Sequence, residues 1–166
     1  MCPSFARCYG SSRAPLFNFV MHSLRQASRA DIAAIHDVRM SVRENQLTRS
    51  SAISERDYID HLETLGRGWV IEVGDRIVAV VIGNARNGNI WGLFVRPEFE
   101  RRGFGRHLLD TAVDWLWSQR LTQLWLTTTP GTRAHGFYEA AGWRRAGMTE
   151  HGEIRFELDK HEHTSQ

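Results

Sequence analysis

The segment Leu93-Phe94-Val95-Arg96-Pro97-Glu98-Phe99-Glu100-Arg101-Arg102-Gly103-Phe104-Gly105-Arg106-His107-Leu108-Leu109 decides how this chain is read. A strand runs into Val95, Pro97 stops it, an arginine-rich loop follows, and Gly103 and Gly105 open a helix. A helix N-terminus leaves four backbone N–H groups without intrahelical partners, and its dipole adds partial positive charge, so such a junction suits an anion. Glycine lets the backbone close on a phosphate, and Arg101, Arg102 and Arg106 add charge around it. A P-loop is excluded, because no Gly-Lys-Ser/Thr follows the glycines. A dinucleotide fingerprint fits poorly: Leu108 stands where the third glycine belongs, and no acid ends a strand about 20 residues later. Taken in isolation, the Gly-x-Gly pair also reads as a plain turn.

Upstream, the pattern predicts a strand at residues 24–27 and a helix begun by Ser28, with Asp31 at capping-box spacing. Ile32, Ile35, Val38 and Val42 form its apolar stripe. Residues 45–51 are polar loop. Ser54 and Asp57 repeat the capping signal before a second helix carrying Tyr58, Leu62 and Leu65, which Gly66 and Gly68 are expected to end. Three strands follow at residues 69–73, 76–85 and 89–95. Gly74-Asp75 joins the first two, and Asn87-Gly88 reads as a type I′ turn before the third. Gly92, inside that third strand, marks a bulge or a close approach.

Downstream, the helix opened by the glycines runs to about residue 119, with Phe104, Leu108, Ala112, Trp115 and Leu116 on one face. A strand at residues 124–128, a short helix capped by Thr132 and closed by Gly142, and two strands at residues 143–146 and 153–158 complete the chain. The order is β-α-α-β-β-β-α-β-α-β-β. It predicts an α/β fold: a mixed sheet with an antiparallel meander, a βαβ crossover and flanking helices.

Composition narrows the function. At 166 residues the chain suits one domain. Its 42% hydrophobic and 24% charged content is ordinary for a globular protein and excludes disordered and collagen-like classes. The longest apolar run, residues 77–82, is far short of the roughly 18 residues a membrane span needs. Four of the 21 basic residues and none of the 19 acidic ones fall in the first 30 positions, so the body is weakly acidic. It lacks the concentrated basic face of a nucleic-acid binder. Cys2 and Cys8 are the only cysteines, and no His/Cys/acid group has ligand spacing, so neither a catalytic thiol nor a metal site is expected. Residues 1–22 read as a disordered N-terminal extension or the product of an upstream start codon. Residues 23–160 read as the domain, and residues 161–166 as a polar tail. The expected location is cytoplasmic.

Val95-x-Pro97-Glu98-Phe99-x-x-x-Gly103-Phe104-Gly105-Arg106-x-Leu108-Leu109 resembles motif A of the GNAT superfamily of acyl-CoA-dependent N-acyltransferases, and the element order from about residue 24 to 159 is similar to that family's. Ala134-x-x-Phe137-Tyr138-x-x-x-Gly142-Trp143 resembles its second signature. The resemblance implies a GNAT-like fold and acetyl-CoA as co-substrate. Its pyrophosphate would be held by backbone amides over Arg101, Arg102, Gly103, Phe104, Gly105 and Arg106. The strand at Leu93, Phe94 and Val95 would polarise the thioester carbonyl. Tyr138 is the implied general acid toward the departing thiolate, a role suited to a phenol that is protonated at neutral pH. The implied acceptor is a small-molecule or peptide amine, attacked directly with no acyl-enzyme; no nucleic acid, membrane or metal is involved, and a homodimer is an assembly common in the family.

Three departures stand out. Glu100 occupies a position where the family usually has Gln or Arg, Gly131 one where many members have Asn, and residues 89–95 lack the strand acid that often serves as base. Glu72, Glu44 and His135 are the candidate bases, with none preferred. The Arg43-Glu44-Asn45 segment and the second helix would shape the acceptor site, with Trp69 and Trp91 as candidate lining. The missing acid keeps a second reading open, a non-catalytic acyl-CoA-binding regulatory module on the same scaffold. A ligand-free protein-interaction domain is a third.

Overall fold

The structure, a computed structural model, describes residues 21–42 and 52–160. The expected extension before residue 21, the Arg43-Glu44-Asn45 segment, the polar loop of residues 45–51 and the tail of residues 161–166 lie outside the described residues.

Seven strands form one mixed sheet. They are β1 (His22–Gln26), β2 (Gly66–Val73), β3 (Arg76–Asn84), β4 (Asn89–Val95), β5 (Gln123–Thr128), β6 (Arg144–Met148) and β7 (Ile154–Asp159). Their order across the sheet is β1-β2-β3-β4-β5-β7-β6. Among the described residues there are four α-helices: α1 (Ile32–Ser41), α2 (Glu55–Ile59), α3 (Phe104–Ser118) and α4 (Arg133–Ala140). Asp60–Thr64 extends α2 by a wider π turn. The central strand β3 is buried along nearly its whole length, which is why its sequence is almost continuously apolar rather than alternating. On one face α3 buries Leu108, Leu109, Ala112, Val113 and Leu116 against the sheet. Gly83 of β3 lies directly beneath Leu116, where even one added carbon would crowd it. On the other face Ile35 and Val38 of α1, with Tyr58 and Leu62, cover Val70, Val80 and Ile82.

Every neighbouring pair of strands is antiparallel except β4 and β5, which are parallel and paired only at Asn89 and Trp125. That junction is stitched locally: Trp125 N–H donates to Gly88 O (3.0 Å), Trp125 Nε1 to Asn87 O (3.0 Å) and Asn89 Nδ2 to Trp125 O (3.3 Å). Past it the two strands separate toward Val95 and Thr128. A bulge in β4, where the register against Ile82 and Gly83 shifts around Trp91, bends the strand at the expected glycine. The edge strand β6 is exposed throughout and kinked between Arg145 and Gly147.

The structure moves three expected features. Gly66 and Gly68 do not end a helix; both belong to β2, and Gly66 is a glycine because a Cβ there would collide with the Gly83 carbonyl oxygen. The β3–β4 connection is a four-residue loop, not a two-residue type I′ turn: Asn84 pairs with Asn89, and Gly88 (φ 76°) has positive φ while Asn87 does not. Thr132 precedes α4 as expected, but its hydroxyl donates back to Thr129 O (2.9 Å) instead of capping the helix.

Both predicted capping boxes form. Asp31 accepts from the Ser28 amide (2.8 Å) and from Arg25 Nη1 (2.8 Å), while Arg25 Nη2 reaches Glu72 (2.6 Å) and ties β1 to β2. The Arg25 guanidinium, aided by the Ser28 amide, holds the Asp31 carboxyl at about 2, below the usual carboxylate range. A depressed carboxyl stabilises the fold fully above its unfolded value and stops doing so as pH falls through its folded one. Roughly 1–2 kcal/mol is expected, allowing for solvent screening of the partly exposed arginine. Asp31→Asn should therefore lower the denaturant midpoint at pH 7. The gap from wild type should close between about pH 4 and pH 2; equal stability at pH 7 would contradict the assignment.

Candidate active site

The wide end of the β4–β5 gap opens on the loop that follows β4. Arg96 stays with the sheet, its N–H on Val78 O (2.8 Å) and its Nε on Ile77 O (3.1 Å). The loop then passes through two left-handed residues, Arg101 (φ 60°) and Gly103 (φ 82°), before α3 begins. Such alternation turns successive N–H groups toward one concavity, a backbone nest for anions. Among the described residues, no acceptor meets the amides of residues 101–106; the first bond of α3 runs from His107 N–H to Gly103 O (3.0 Å).

A cleft of about 460 Å³ lies over this nest, between β4, the start of α3 and α4. Of the residues singled out from the sequence, Leu93, Phe94, Val95, Arg101, Gly103, Phe104, Gly105, Arg106 and Tyr138 border it. Arg102 does not: its guanidinium lies over the Phe99 ring (4.8 Å) and bonds the Glu98 carbonyl. The backbone of β4 also faces the cleft. Arg96 N–H points to β3, and alternation along an antiparallel strand turns Phe94 the same way. The N–H groups of Leu93 and Val95 therefore point into the gap, where β5 has moved out of reach.

Tyr138 stands on the α4 side of the cleft. Its ring is buried among Phe137, Trp143 and Phe156, and among the described residues its hydroxyl has no hydrogen-bond partner. Burial pushes the phenol well above its ordinary value, so it stays protonated through the neutral range. A buried phenol with an uncommitted proton beside a cleft has the chemistry of a donor.

The cleft also brings in residues that the sequence had not assigned to binding or catalysis. Glu100 pairs with Arg133 Nη2 at 2.5 Å, so the acid at the unusual position meets the first residue of α4. Phe137, quoted in the second signature but given no role there, lines the cleft as well, and Gly105 leaves the space between it and Val95 open. Val42, the last member of the α1 stripe, borders the cleft from the other face. The Glu100–Arg133 contact joins distant segments and leaves no local signal.

The candidate bases are dispersed. Glu72 is held by Arg25 (2.6 Å), His135 by Glu139 (3.0 Å), and neither borders the cleft, while Glu44 lies outside the described residues. Trp69 is not groove lining but core, packed edge-on against Trp115. Trp91 sits on the α1–α2 face, stacked on His61 at 3.9 Å with the Tyr58 ring against its edge.

A family description, the acetyltransferase (GNAT) family, matches residues 32–143, which span both the nest and Tyr138. The chain belongs to the GNAT acetyltransferase family. It is an acyltransferase. Solved GNAT structures share its fold at low sequence identity. The ribosomal-protein-S18-alanine N-acetyltransferase of Escherichia coli is 19% identical with a TM-score of 0.68, over 84% of this chain and 94% of that one. The PaiA N-acetyltransferase of Thermoplasma acidophilum, solved in complex with coenzyme A, is 12% identical with a TM-score of 0.70, over 84% and 99%. A GNAT-family acetyltransferase of Staphylococcus aureus Mu50 is 15% identical with a TM-score of 0.72, again over 84% and 99%. No curated protein matches the sequence.

The two glycines of this acetyltransferase's nest do different jobs, and stability separates them. Gly103 has open space around it but a left-handed backbone, so Gly103→Ala should cost about 1 kcal/mol in a denaturant melt. An added carbon at Gly105 would meet Phe137 and Val95 at ordinary contact distance, 3.6 Å, so Gly105→Ala should be within about 0.5 kcal/mol of wild type. The reverse ranking would contradict this division.

Proposed function

We propose that this enzyme moves an acetyl group from acetyl-CoA to an amine by direct attack. The observation that carries the reading is the nest of uncommitted amides at residues 101–106, at the wide end of a gap that Tyr138 borders. The residues present suit coenzyme A: partnerless N–H donors and two arginines for a diphosphate, then an apolar trough past Val95 and Phe137 for the arm that carries the thioester. Acetyl-CoA supplies an activated acyl group and a thiolate leaving group. The amides of residues 101–106 hold the diphosphate, helped by Arg101 and Arg106; Arg106 also pairs with Asp110 at 2.9 Å. The Leu93 and Val95 N–H groups polarise the thioester carbonyl. Tyr138 Oη gives its proton to sulfur as the C–S bond breaks. The domain has no cysteine between residues 23 and 160, in keeping with transfer in one step rather than through an acyl-enzyme.

Among the described residues β4 and β5 carry no acid, and in this reading the acceptor ammonium loses its proton to solvent. Turnover should then follow the free-amine fraction, with kcat/KM rising with pH toward the acceptor's own pKa. No alkaline fall from Tyr138 is expected below about pH 10, since burial raises the phenol rather than lowering it. Tyr138→Phe should reduce kcat by about 10²-fold or more while coenzyme A affinity changes only a few-fold. Unchanged turnover would remove Tyr138 from the mechanism. Gly105→Val, which fills the floor between Val95 and Phe137, should weaken coenzyme A binding about tenfold or more in a calorimetric titration. Equal binding would displace the coenzyme from this cleft.

A further inference from the structure

On the face of the sheet opposite α3, Arg39 has been taken partly out of water with no acid beside it among the described residues. Arg39 lies in the last turn of α1, three residues before Val42, which borders the coenzyme cleft. Its guanidinium carbon is 4.8 Å from the Phe94 ring and 5.6 Å from the Trp91 ring. Phe94 is shared: it borders the coenzyme cleft and also a water-sized void of about 10 Å³ that Arg39, Tyr58 and Trp91 line. Arg39 Nε is buried and has no hydrogen-bond partner. Among the described residues no carboxylate pairs with this side chain, and its burial lowers its pKa from the ordinary arginine value. The aromatic faces stabilise the charge but accept none of its N–H protons in the plane of the fork. The Tyr58 hydroxyl, which also bonds His36 Nδ1 at 3.1 Å, lies within hydrogen-bonding reach of the guanidinium and is a neutral partner that leaves the charge uncompensated.

A planar cation of this kind, held rigid by two rings, matches a carboxylate bidentately. It does not itself line the coenzyme cleft but packs on Phe94, which does. The coenzyme cleft is walled by α3 and α4 on one face, which leaves the α1 side of β4 for the acceptor. We propose that Arg39 is the acceptor-binding cation, and that the natural substrate is an amine that also carries a carboxylate, gripped by the guanidinium while its nitrogen faces the thioester. This rests on the amine acetylation proposed above. The same charge repels polycationic amines, so selection works in both directions.

The test measures thiol released from acetyl-CoA with matched acceptors: free L-amino acids against their carboxamides, peptide amides beginning with Asp against those beginning with Asn, and spermidine. Wild type should favour the carboxylate member by about tenfold or more in kcat/KM, and the arm that shows it tells an α-carboxylate from an acidic side chain. In Arg39→Gln the preference should fall to within about threefold, while the KM for acetyl-CoA holds. Arg39→Lys, which keeps the charge and loses the fork, should fall in between, and it decides the matter if the Gln variant does not fold. Because the readout is a ratio within each variant, a purely structural role for Arg39 would not move it. A preference that survives Arg39→Gln, equal use of both members of each pair by wild type, or a preference for spermidine would overturn the assignment. Coenzyme A stabilising the protein while every acceptor in the panel stays unreacted would also overturn it, yet leave the donor site standing. No thermal shift with coenzyme A would overturn the donor reading and this one together.

Discussion

The separation of β4 from β5 is the constraint on which the site depends. A parallel pair would normally zip along its length and satisfy both edges. Here the pairing is confined to Asn89 and Trp125, stitched by an indole N–H, a side-chain amide and one backbone bond. Everything past that point is left with unpaired backbone on the facing edges. Buried polar backbone without partners is costly, so such an edge persists only where something else can satisfy it. The bulge at Trp91 and the crossover through α3 keep the strands apart, and the same crossover delivers a helix start to the mouth of the gap. One topological decision thus supplies the uncommitted N–H groups of Leu93 and Val95 and the nest beyond them.

The chemistry around the gap divides by face. On the side covered by α3 and α4, Tyr138 is shielded by three aromatic neighbours and burial keeps its proton on, which suits the donor role proposed for it. The arginine-rich loop supplies charge at the rim rather than in the interior, which suits a solvated diphosphate. Glu100 tempers that charge by engaging Arg133, so the lip is less positive than its arginine count suggests. The opposite face, under α1 and α2, carries aromatic surface with the Arg39 guanidinium packed on it. The proposed meeting of two reactants across one strand would use just such a partition.

Much of this was legible in the sequence because the signals were local. Ser28 with Asp31 and Ser54 with Asp57 predict their helix starts from a three-residue spacing, and both boxes form. The glycine-rich junction and the Phe137-Tyr138 helix pointed to the family, and nine of the ten site residues expected from them border the cleft, since each motif encodes its own backbone shape. What failed to show was governed by distant neighbours. Gly66 looked like a helix stop, but its lack of a side chain answers to the Gly83 carbonyl in another strand. Trp69 and Trp91 looked alike as candidates, and only the register of β2 and β4 sends one into the α3 core and the other to the α1 side. Arg102 belongs to the same basic run as Arg101, yet the left-handed turn between them swings it onto Phe99. Arg39 gave no sign at all, because its meaning lies in what surrounds it.

The outermost strand has a consequence for the molecule in a crowded solution. An unpaired edge is a template for further strands, and a long flat one invites aggregation. β6 is only five residues long, carries Arg144 and Arg145, and is bent at Gly147, whose φ of 139° few other residues adopt. Arg144 is anchored to Glu157 and Asp159, so its charge is fixed beside that border rather than trailing away from it. The sheet is therefore guarded against end-to-end stacking at its β6 margin by charge, brevity and curvature together.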